Sequence, residues 1–307
     1  MDALFNEVNA LATEQRNPLS TIMDELSTRE VLELINREDQ KVAEAVELEI
    51  PHITSVVDEL VSRLPIGGRL IYVGAGTSGR MGVIDAAECP PTFGTKPEMV
   101  QAIIAGGKEA VFKAQEFAED KPEKGAESID ELKVNASDVV IGIAASKRTP
   151  FVLGALERAH TIGAYTVLLT TNPRASITFP FLHESICAVV GPEVLMGSTR
   201  MKSAVAQKMV LTMITTTVMV RLGKVYENMM VDLQLTNHKL EERAKRIIMI
   251  ATGCDYERAS ALLVQSNNHV KTAILMEKAQ LSKADAHALL ERAGGFVKTA
   301  LKLLVHK

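Results

Sequence analysis

The sequence contains no tryptophan, and aromatic residues make up only 4% of its 307 residues. Aromatic platforms for nucleic-acid bases or sugar rings therefore have little to be built from. The formal net charge is −4, and no long basic run occurs along the chain. A nucleic-acid partner is not expected from such a charge pattern.

Cysteine is also scarce: Cys89, Cys187 and Cys254 are an odd number without metal-ligand spacing. We therefore expect neither a disulfide framework nor a metal site, and the composition favours a reducing cytoplasm. The longest apolar run, Met209–Val220, is too short to span a bilayer. It predicts a buried helix, and the N-terminal residues lack the apolar core of a signal peptide.

Apolar runs rich in β-branched residues alternate with helical patterns in the middle of the chain. The predicted strands are Leu70–Val73, Met99–Ala105, Val139–Ala144, Tyr165–Thr170 and Ser185–Val190. The helices predicted between the first four are Gly79–Ala87, Glu109–Ala118 and Pro150–Thr161. This alternation predicts an α/β fold with a doubly wound parallel sheet flanked by helices.

Helical segments are predicted on both sides of this domain. Residues 1–64 form an N-terminal helical segment, in which Ser27 and Glu30 match a capping box. Residues 65–237 form the α/β domain, and residues 238–307 form a small helical subdomain. That subdomain contains Val-Lys-Thr-Ala twice, at 270–273 and 297–300, each after a turn. The repetition predicts two related helix–turn–helix units.

A glycine-rich turn, Gly-Ala-Gly-Thr-Ser-Gly-Arg (74–80), follows the first predicted strand. Such a turn before a helix binds phosphate because backbone N–H groups and the positive end of the helix dipole converge there. The stretch also fits G-x-G-x-x-G, but a dinucleotide site needs an acidic residue after the second strand. That strand is followed here by Gly106 and Gly107. The turn therefore favours another phosphate ester.

Hydroxyl-bearing residues occur at three predicted helix starts: after the first strand, after the third strand, and at the helix Thr199–Leu222, which Ser198 would cap. Any one of them could be only a helix cap. Their repetition after successive strands favours a shared anion, because α/β folds bind ligands there. The expected phosphate-binding residues are Gly76, Thr77, Ser78, Ser146, Thr149, Ser198 and Thr199.

Acidic residues follow these motifs. Glu88 precedes Pro90 and Pro91, which predict an abrupt end of the helix at this point. A carboxylate at a helix C-terminus is electrostatically disfavoured, as suits a general acid, although a solvated surface glutamate is the safer interpretation from the sequence alone. Four further acidic residues lie on or just beyond the predicted helix Glu109–Ala118: Glu109, Glu116, Glu119 and Asp120. Three of them should be ordinary surface charges, and the pattern alone does not say which is the exception.

Several motifs resemble those of bacterial N-acetylmuramic acid 6-phosphate etherases. They are Gly-Ala-Gly-Thr-Ser-Gly-Arg (74–80), Asp-Ala-Ala-Glu-Cys-Pro-Pro (85–91), Ile-Ala-Gly-Gly (104–107), Ala-Glu-Asp (118–120), Gly-Ile-Ala-Ala-Ser (142–146), Gly-Ser-Thr-Arg-Met-Lys (197–202), Gly-Lys-Val-Tyr (223–226), Met-Val-Asp (230–232) and Thr-Asn-His-Lys-Leu (236–240). The resemblance covers nearly the whole chain. It implies a sugar isomerase (SIS) fold and cleavage of the D-lactyl ether of a phosphosugar in cell-wall amino-sugar recycling, without a metal or cofactor.

The resemblance also implies roles for individual residues. The family's two catalytic glutamates fall on Glu88, as the acid toward the lactyl oxygen, and on Glu119, as the base at C2 or the group that activates water. The family further implies a homodimer and leaves open which subunit supplies each part of the active site. Lys147 stands where the family usually has glycine, and Ala87 where it often has serine. A positive φ at Lys147 would be strained.

Two other functions share the expected fold. An aldose–ketose phosphosugar isomerase also needs a base at C2, but it needs no acid toward C3. A phosphosugar-sensing regulator would bind the sugar without turnover. The pair of glutamates favours the etherase over both, and a nicotinamide-dependent dehydrogenase comes last because the ribose-binding carboxylate is missing.

Overall fold

The computed structural model describes residues 3–115 and 117–305. The chain divides into two compact units. One consists of Met1–Ala87 with Glu98–Thr215, and the other of Glu88–Pro97 with Thr216–Lys307. The domain boundaries expected at residues 64 and 237 stay predictions.

The first unit contains a five-stranded sheet whose strands are β1 Leu70–Gly74, β2 Val100–Ile104, β3 Val139–Ile143, β4 Tyr165–Thr170 and β5 Glu184–Cys187. The strand order is β2-β1-β3-β4-β5, and every pairing is parallel. All residues of β1 and β3 are buried, as in a parallel sheet covered on both faces. The predicted doubly wound parallel sheet is confirmed.

The helices that lie wholly or partly in this unit are α1 Ala3–Asn9, α2 Thr28–Asp39, α3 Lys41–Glu47, α4 Ile50–Arg63, α5 Gly76–Phe93, α6 Pro122–Glu131, α7 Pro150–Ile162 and α8 Lys202–Arg221. The capping box is confirmed, because the Ser27 side chain and the Glu30 backbone and side chain bond reciprocally at the start of α2. Among the described residues, α8 is long and apolar enough to cross a membrane, but just over half of its most apolar window is buried inside the protein.

The helix predicted over Glu109–Ala118 is wrong. The described part of this segment contains the 3₁₀ turn Lys108–Val111, and a second 3₁₀ turn, Ala118–Asp120, follows Phe117; Glu116 lies outside the described residues. Phe117 has a φ of 60°, which is incompatible with a continuing right-handed helix.

The crossover helix between β2 and β3 is α6 instead. Its apolar and small residues follow a helical spacing, but only Gly125 and Ile129 are buried along its length. Gly125 allows close packing, since a Cβ there would lie 1.9 Å from the Phe151 carbonyl oxygen in α7. Ile129 is the one large apolar residue of α6, so the segment lacks the apolar run that marked the other elements in the sequence.

The predicted end of α5 at the Pro-Pro pair is also wrong. The helix continues through Pro90 and Pro91 to Phe93, and Gly94, with a φ of 62°, ends it. The Gly94 N–H bonds the Pro90 carbonyl at 2.9 Å. Glu88 is therefore an exposed residue inside the helix, so the expected helix-terminal position does not exist.

The second unit contains the antiparallel pair β6 Val225–Tyr226 and β7 Met229–Met230, and the helices α9 His238–Thr252, α10 Tyr256–Gln265, α11 Val270–Ala279, α12 Lys283–Arg292 and α13 Val297–Val305. The internal repetition is confirmed. Asn267 and Asn268 lie between α10 and α11, and Gly294 and Gly295 between α12 and α13, all with positive φ. The same left-handed turn thus precedes each Val-Lys-Thr-Ala.

Candidate phosphosugar site

The proposed site begins where the strand order reverses. β1 pairs with β2 on one side and with β3 on the other, so Gly74 lies opposite both Ile104 and Ile143. The crossover after β1 leads to β2 and the crossover after β3 leads to β4, so the two crossovers run in opposite directions. Ligands of open α/β sheets bind at such a switch point, outside the carboxyl ends of the strands.

Each of the three glycines in the first turn stands where a side chain would clash or strain the backbone. A Cβ on Gly74 would lie 2.6 Å from the Gly79 nitrogen, and a Cβ on Gly79 would lie 2.6 Å from Ile104 Cγ1. Gly76 has a φ of 52° at the start of α5. The strand and helix thus approach closely, and Thr77 and Ser78 lie half-buried in the first helical turn.

The loop after β3, which carries Ser146 and Thr149, is held by one backbone carbonyl. The Ala145 oxygen accepts hydrogen bonds from Thr170 Oγ1 at 2.9 Å, Thr171 Oγ1 at 3.2 Å and Asn172 Nδ2 at 2.7 Å. All three donors are at most 1% exposed. This network fixes the loop beside β1 in a buried, low-dielectric setting, where satisfied hydrogen bonds rigidify the backbone.

Thr149 is the N-cap of α7, but its side chain makes no capping hydrogen bond. A residue that serves only as a helix cap would make such a bond, so the structure does not favour that interpretation of Thr149. Ser146 and Thr149 are both half-buried, and Pro150 opens the helix as expected. The structure thus brings these two hydroxyl residues to the edge of the sheet next to the first turn.

Lys147 has the positive φ that its place in the loop suggested, at 62°. Its side chain does not simply point into solvent, because Nζ donates to the Ser176 carbonyl oxygen at 2.6 Å. A non-glycine residue in this region costs on the order of 1 kcal/mol or more. The bond to Ser176 is one contribution that offsets this strain.

The third hydroxyl cluster does not begin a helix as predicted. α8 starts at Lys202, three residues beyond Thr199, and Ser198 lies in the preceding turn. The Glu193 carboxylate receives the first N–H groups of α8 instead, from Lys202 at 3.1 Å and from Ser203 at 2.9 Å. A buried carboxylate therefore already occupies the anion-binding position at this helix N-terminus.

Beside this helix start lies a buried ion pair. Lys202 Nζ donates to Glu38 Oε2 at 2.6 Å, and the two side chains are 2% and 3% exposed. Burial alone would raise the pKa of Glu38, but hydrogen bonds from Lys202, Lys41 and Asn17 hold it at about 2. The pair anchors α2 to α8, and the low pKa keeps the Glu38 carboxylate charged at neutral pH.

Glu119 lines a small cavity of about 170 Å³ in the first unit. The cavity wall also includes Gly76, at the start of α5, and Arg80, one turn further along the same helix. The structure therefore brings one predicted catalytic residue and one predicted phosphate-binding residue to the same cavity. Glu119 reaches it through the short turn Ala118–Asp120.

Glu88 belongs to the second compact unit, on the last part of α5. The carboxylate three residues earlier, Asp85, is inside the first unit and ties helices to the sheet. It accepts hydrogen bonds from the hydroxyl of Tyr72 in β1 at 2.8 Å and from Thr215 in α8 at 3.2 Å. Burial raises the pKa of Asp85, and these two hydrogen bonds lower it part of the way.

Three residues of the site escaped prediction from the sequence. They are Arg80 in the cavity wall, Glu193 at the start of α8, and Asn172, which supports the loop after β3. Arg80 ends the glycine-rich motif itself, so the motif was the available signal. The positions of Glu193 and Asn172 depend on contacts between distant segments, which no local pattern reports.

Residues 52–160 match the family model described as the glucokinase regulatory protein N-terminal SIS domain. This match covers β1, β2, β3 and the loops after them, including Glu88 and Glu119. The sugar isomerase fold predicted for the α/β domain is thus confirmed.

Curated relatives match over almost the whole chain. An N-acetylmuramic acid 6-phosphate etherase from Salinibacter ruber is 56% identical over 98% of this chain and 96% of its own length. The N-acetylmuramic acid 6-phosphate etherase 2 of Vibrio cholerae is 50% identical over 98% of this chain and 98% of its own length. The etherase of Clostridium beijerinckii is 50% identical over 97% of each chain. With half or more of its residues shared along its length, this chain belongs to the N-acetylmuramic acid 6-phosphate etherase family.

Proposed function

We propose that the protein cleaves the D-lactyl ether of N-acetylmuramic acid 6-phosphate, giving N-acetylglucosamine 6-phosphate and D-lactate for cell-wall amino-sugar recycling. The observation that carries the proposal is the identity of 50% or more, over at least 96% of each chain, to relatives named for this etherase. The cavity that joins Glu119 to the start of α5 supports it.

The chemistry explains why two carboxylates are needed. The open-chain sugar has an aldehyde at C1, which makes the C2 proton acidic, and an ether oxygen leaves only if it is protonated. Glu119 removes the C2 proton while Glu88 protonates the ether oxygen at C3. Lactate departs with the electron pair of the C3–O bond, and an α,β-unsaturated aldehyde remains. Water then adds, with hydroxyl at C3 and a proton at C2.

The phosphate binds at the edge of the sheet in this proposal. Support comes from the first turn of α5, with its N–H groups and half-buried hydroxyl residues, and from the half-buried hydroxyl residues before α7 and α8. The residues assigned to this role are Gly76, Thr77, Ser78, Ser146, Thr149, Ser198 and Thr199. We further propose a cytoplasmic homodimer, on the basis of the family resemblance and the scarcity of cysteine; light scattering in solution tests the dimer.

The test is release of D-lactate from N-acetylmuramic acid 6-phosphate. Glu88→Gln and Glu119→Gln should each lower kcat by at least about 100-fold, since general acid–base catalysis typically contributes that much. Both should still bind N-acetylglucosamine 6-phosphate. Glu109→Gln is the control, because Glu109 is an exposed glutamate in a neighbouring 3₁₀ turn. It should keep full activity.

Reaction in oxygen-18 water tests the order of events. Elimination followed by hydration places the label on C3 of the sugar and none in D-lactate. Folded protein that releases no D-lactate would contradict the proposal, and aldose–ketose interconversion in its place would favour the isomerase. A glutamine variant that retains normal turnover would remove that glutamate from the mechanism.

A further inference from the structure

The cavity beside Glu119 is too small for a whole hexose phosphate. At about 170 Å³ it lies well below the range of roughly 300 to 1,000 Å³ for pockets that enclose a drug-sized ligand. It can therefore enclose only a fragment of the proposed substrate. Two fragments are small and anionic: the phosphate at C6 and the lactyl group at C3.

The walls of the cavity differ in chemistry. One part consists of small apolar side chains, among them Ala75, Ala105 and Ala110, which are all at most 9% exposed. The polar part includes Arg80, Gln115 and Glu119. A lactyl group has this same division, with a methyl group and a carboxylate on one carbon, whereas a phosphate has no apolar part.

Arg80 is held in place for recognition of an anion. Its Nε donates to the Val111 carbonyl oxygen at 2.9 Å, which fixes the plane of the guanidinium group in the cavity wall. A guanidinium group has five N–H donors, and the four on its terminal nitrogens form a fork that matches a carboxylate. Arginine with a fixed plane loses little further freedom when it binds such a group.

We propose that Arg80 binds the carboxylate of the D-lactyl group, with the lactyl methyl group against the alanine wall. The inference rests on the proposed etherase function and assigns the specificity for a 3-O-carboxyalkyl ether. It leaves the phosphate to the first turn of α5 and the neighbouring loops. Because the departing oxygen is attached to the carbon that bears this carboxylate, Arg80 also positions the leaving group.

The decisive experiment compares two substrates in two proteins. The substrates are N-acetylmuramic acid 6-phosphate and the 3-O-isopropyl ether of N-acetylglucosamine 6-phosphate, in which a methyl group replaces the carboxylate. Arg80→Gln should lower kcat/KM for the first substrate by about 10- to 100-fold, the range for hydrogen bonds to a charged group. It should change kcat/KM for the isopropyl ether less than threefold. Binding of N-acetylglucosamine 6-phosphate should be unaltered.

Two further variants complete the design. Arg80→Lys keeps the charge but loses the fork and the bond to Val111, and should recover only part of the activity. Arg29→Gln is the matched control, because Arg29 is 88% exposed on α2 and pairs with Glu33 on the same helix. It should behave as wild type with both substrates.

A measurement on the wild-type protein needs no variant. In the presence of N-acetylglucosamine 6-phosphate, D-lactate should inhibit cleavage of N-acetylmuramic acid 6-phosphate. The neutral D-lactamide should not inhibit it. Equal losses on both substrates, or weaker binding of N-acetylglucosamine 6-phosphate by Arg80→Gln, would overturn the inference in favour of a phosphate contact. Equal inhibition by lactate and lactamide would also overturn it. Failure of the etherase proposal would be distinct, because the wild-type protein itself would then release no lactate.

Discussion

The buried carboxylate of Glu38 should determine part of the protein's response to acid. Its side chain is 3% exposed and accepts hydrogen bonds from Lys202 Nζ at 2.6 Å and from Asn17 Nδ2 at 3.0 Å, and it also pairs with Lys41. Burial opposes the charged form, but these donors outweigh it and hold the pKa at about 2. The folded protein therefore binds this proton much less readily than the unfolded chain.

The magnitude follows from the two pKa values. The usual value of 4.5 applies to the unfolded chain and about 2 to the folded protein. This difference corresponds to about 3 kcal/mol of stability at neutral pH, at about 1.4 kcal/mol for each pH unit. Because the folded pKa is the lower one, the contribution is complete above pH 4.5 and is lost as the pH falls toward 2. By pH 3 about 2 kcal/mol should be gone.

Urea unfolding followed by circular dichroism at pH 7, 5 and 3 measures this effect. Glu38→Gln removes the titration and leaves the Lys202 ammonium group buried without its counter-charge, which should cost about 3 to 5 kcal/mol at pH 7. The difference in unfolding free energy between wild type and Glu38→Gln should narrow by about 2 kcal/mol from pH 7 to pH 3.

Glu33→Gln is the matched control. Glu33 pairs with Arg29 on the same helix at 2.7 Å, and both side chains are exposed. Such a pair contributes at most about 1 kcal/mol. If the difference between wild type and Glu38→Gln were the same at pH 7 and pH 3, the reasoning about the buried pair would be refuted. The same holds if Glu33→Gln shifted the acid dependence as much as Glu38→Gln.

Three further changes have expected outcomes in thermal or urea unfolding. Gly154→Ala should destabilise by about 1 to 3 kcal/mol, because its Cβ would lie 2.2 Å from the Pro122 carbonyl oxygen; an unchanged midpoint would contradict this packing. Lys147→Met should destabilise the protein by about 1 to 2 kcal/mol, because it loses the hydrogen bond to Ser176 and keeps the positive φ. Lys147→Gly should cost less, because glycine tolerates a positive φ, and the reverse order would show that the bond to Ser176 does not offset backbone strain. Glu193→Gln should cost about 1 to 2 kcal/mol by weakening the cap of α8, and no loss would mean that the two N–H bonds contribute little.

Local patterns were sufficient for much of the fold. Apolar runs four to seven residues long, with helical segments between them, predicted a parallel sheet, because parallel strands need long crossovers and burial on both faces. The capping box at Ser27 and the repeated Val-Lys-Thr-Ala were also readable, since each depends on residues close together in the chain. The glycines of the first turn indicated the close approach of strand and helix that the structure contains.

Two helices depend on tertiary packing that the sequence does not show. Helix α6 packs Gly125 against the backbone of α7, so a distant segment stabilises it. Helix α5 passes through Pro90 and Pro91, although local chemistry predicts a break there. Each proline inside a helix removes a backbone hydrogen bond, and the packing of the rest of the helix can outweigh that loss of stability.

The candidate site shows the same division. Local sequence patterns were enough to predict the glycine-rich turn after β1 and the hydroxyl residues after β3, because these residues directly follow their strands in the chain. Only the tertiary structure brought Arg80 and Glu119 to one cavity and placed Glu193 on the first turn of α8. These placements join segments that are far apart in the chain, and only the packing of the crossovers on the sheet fixes their distances.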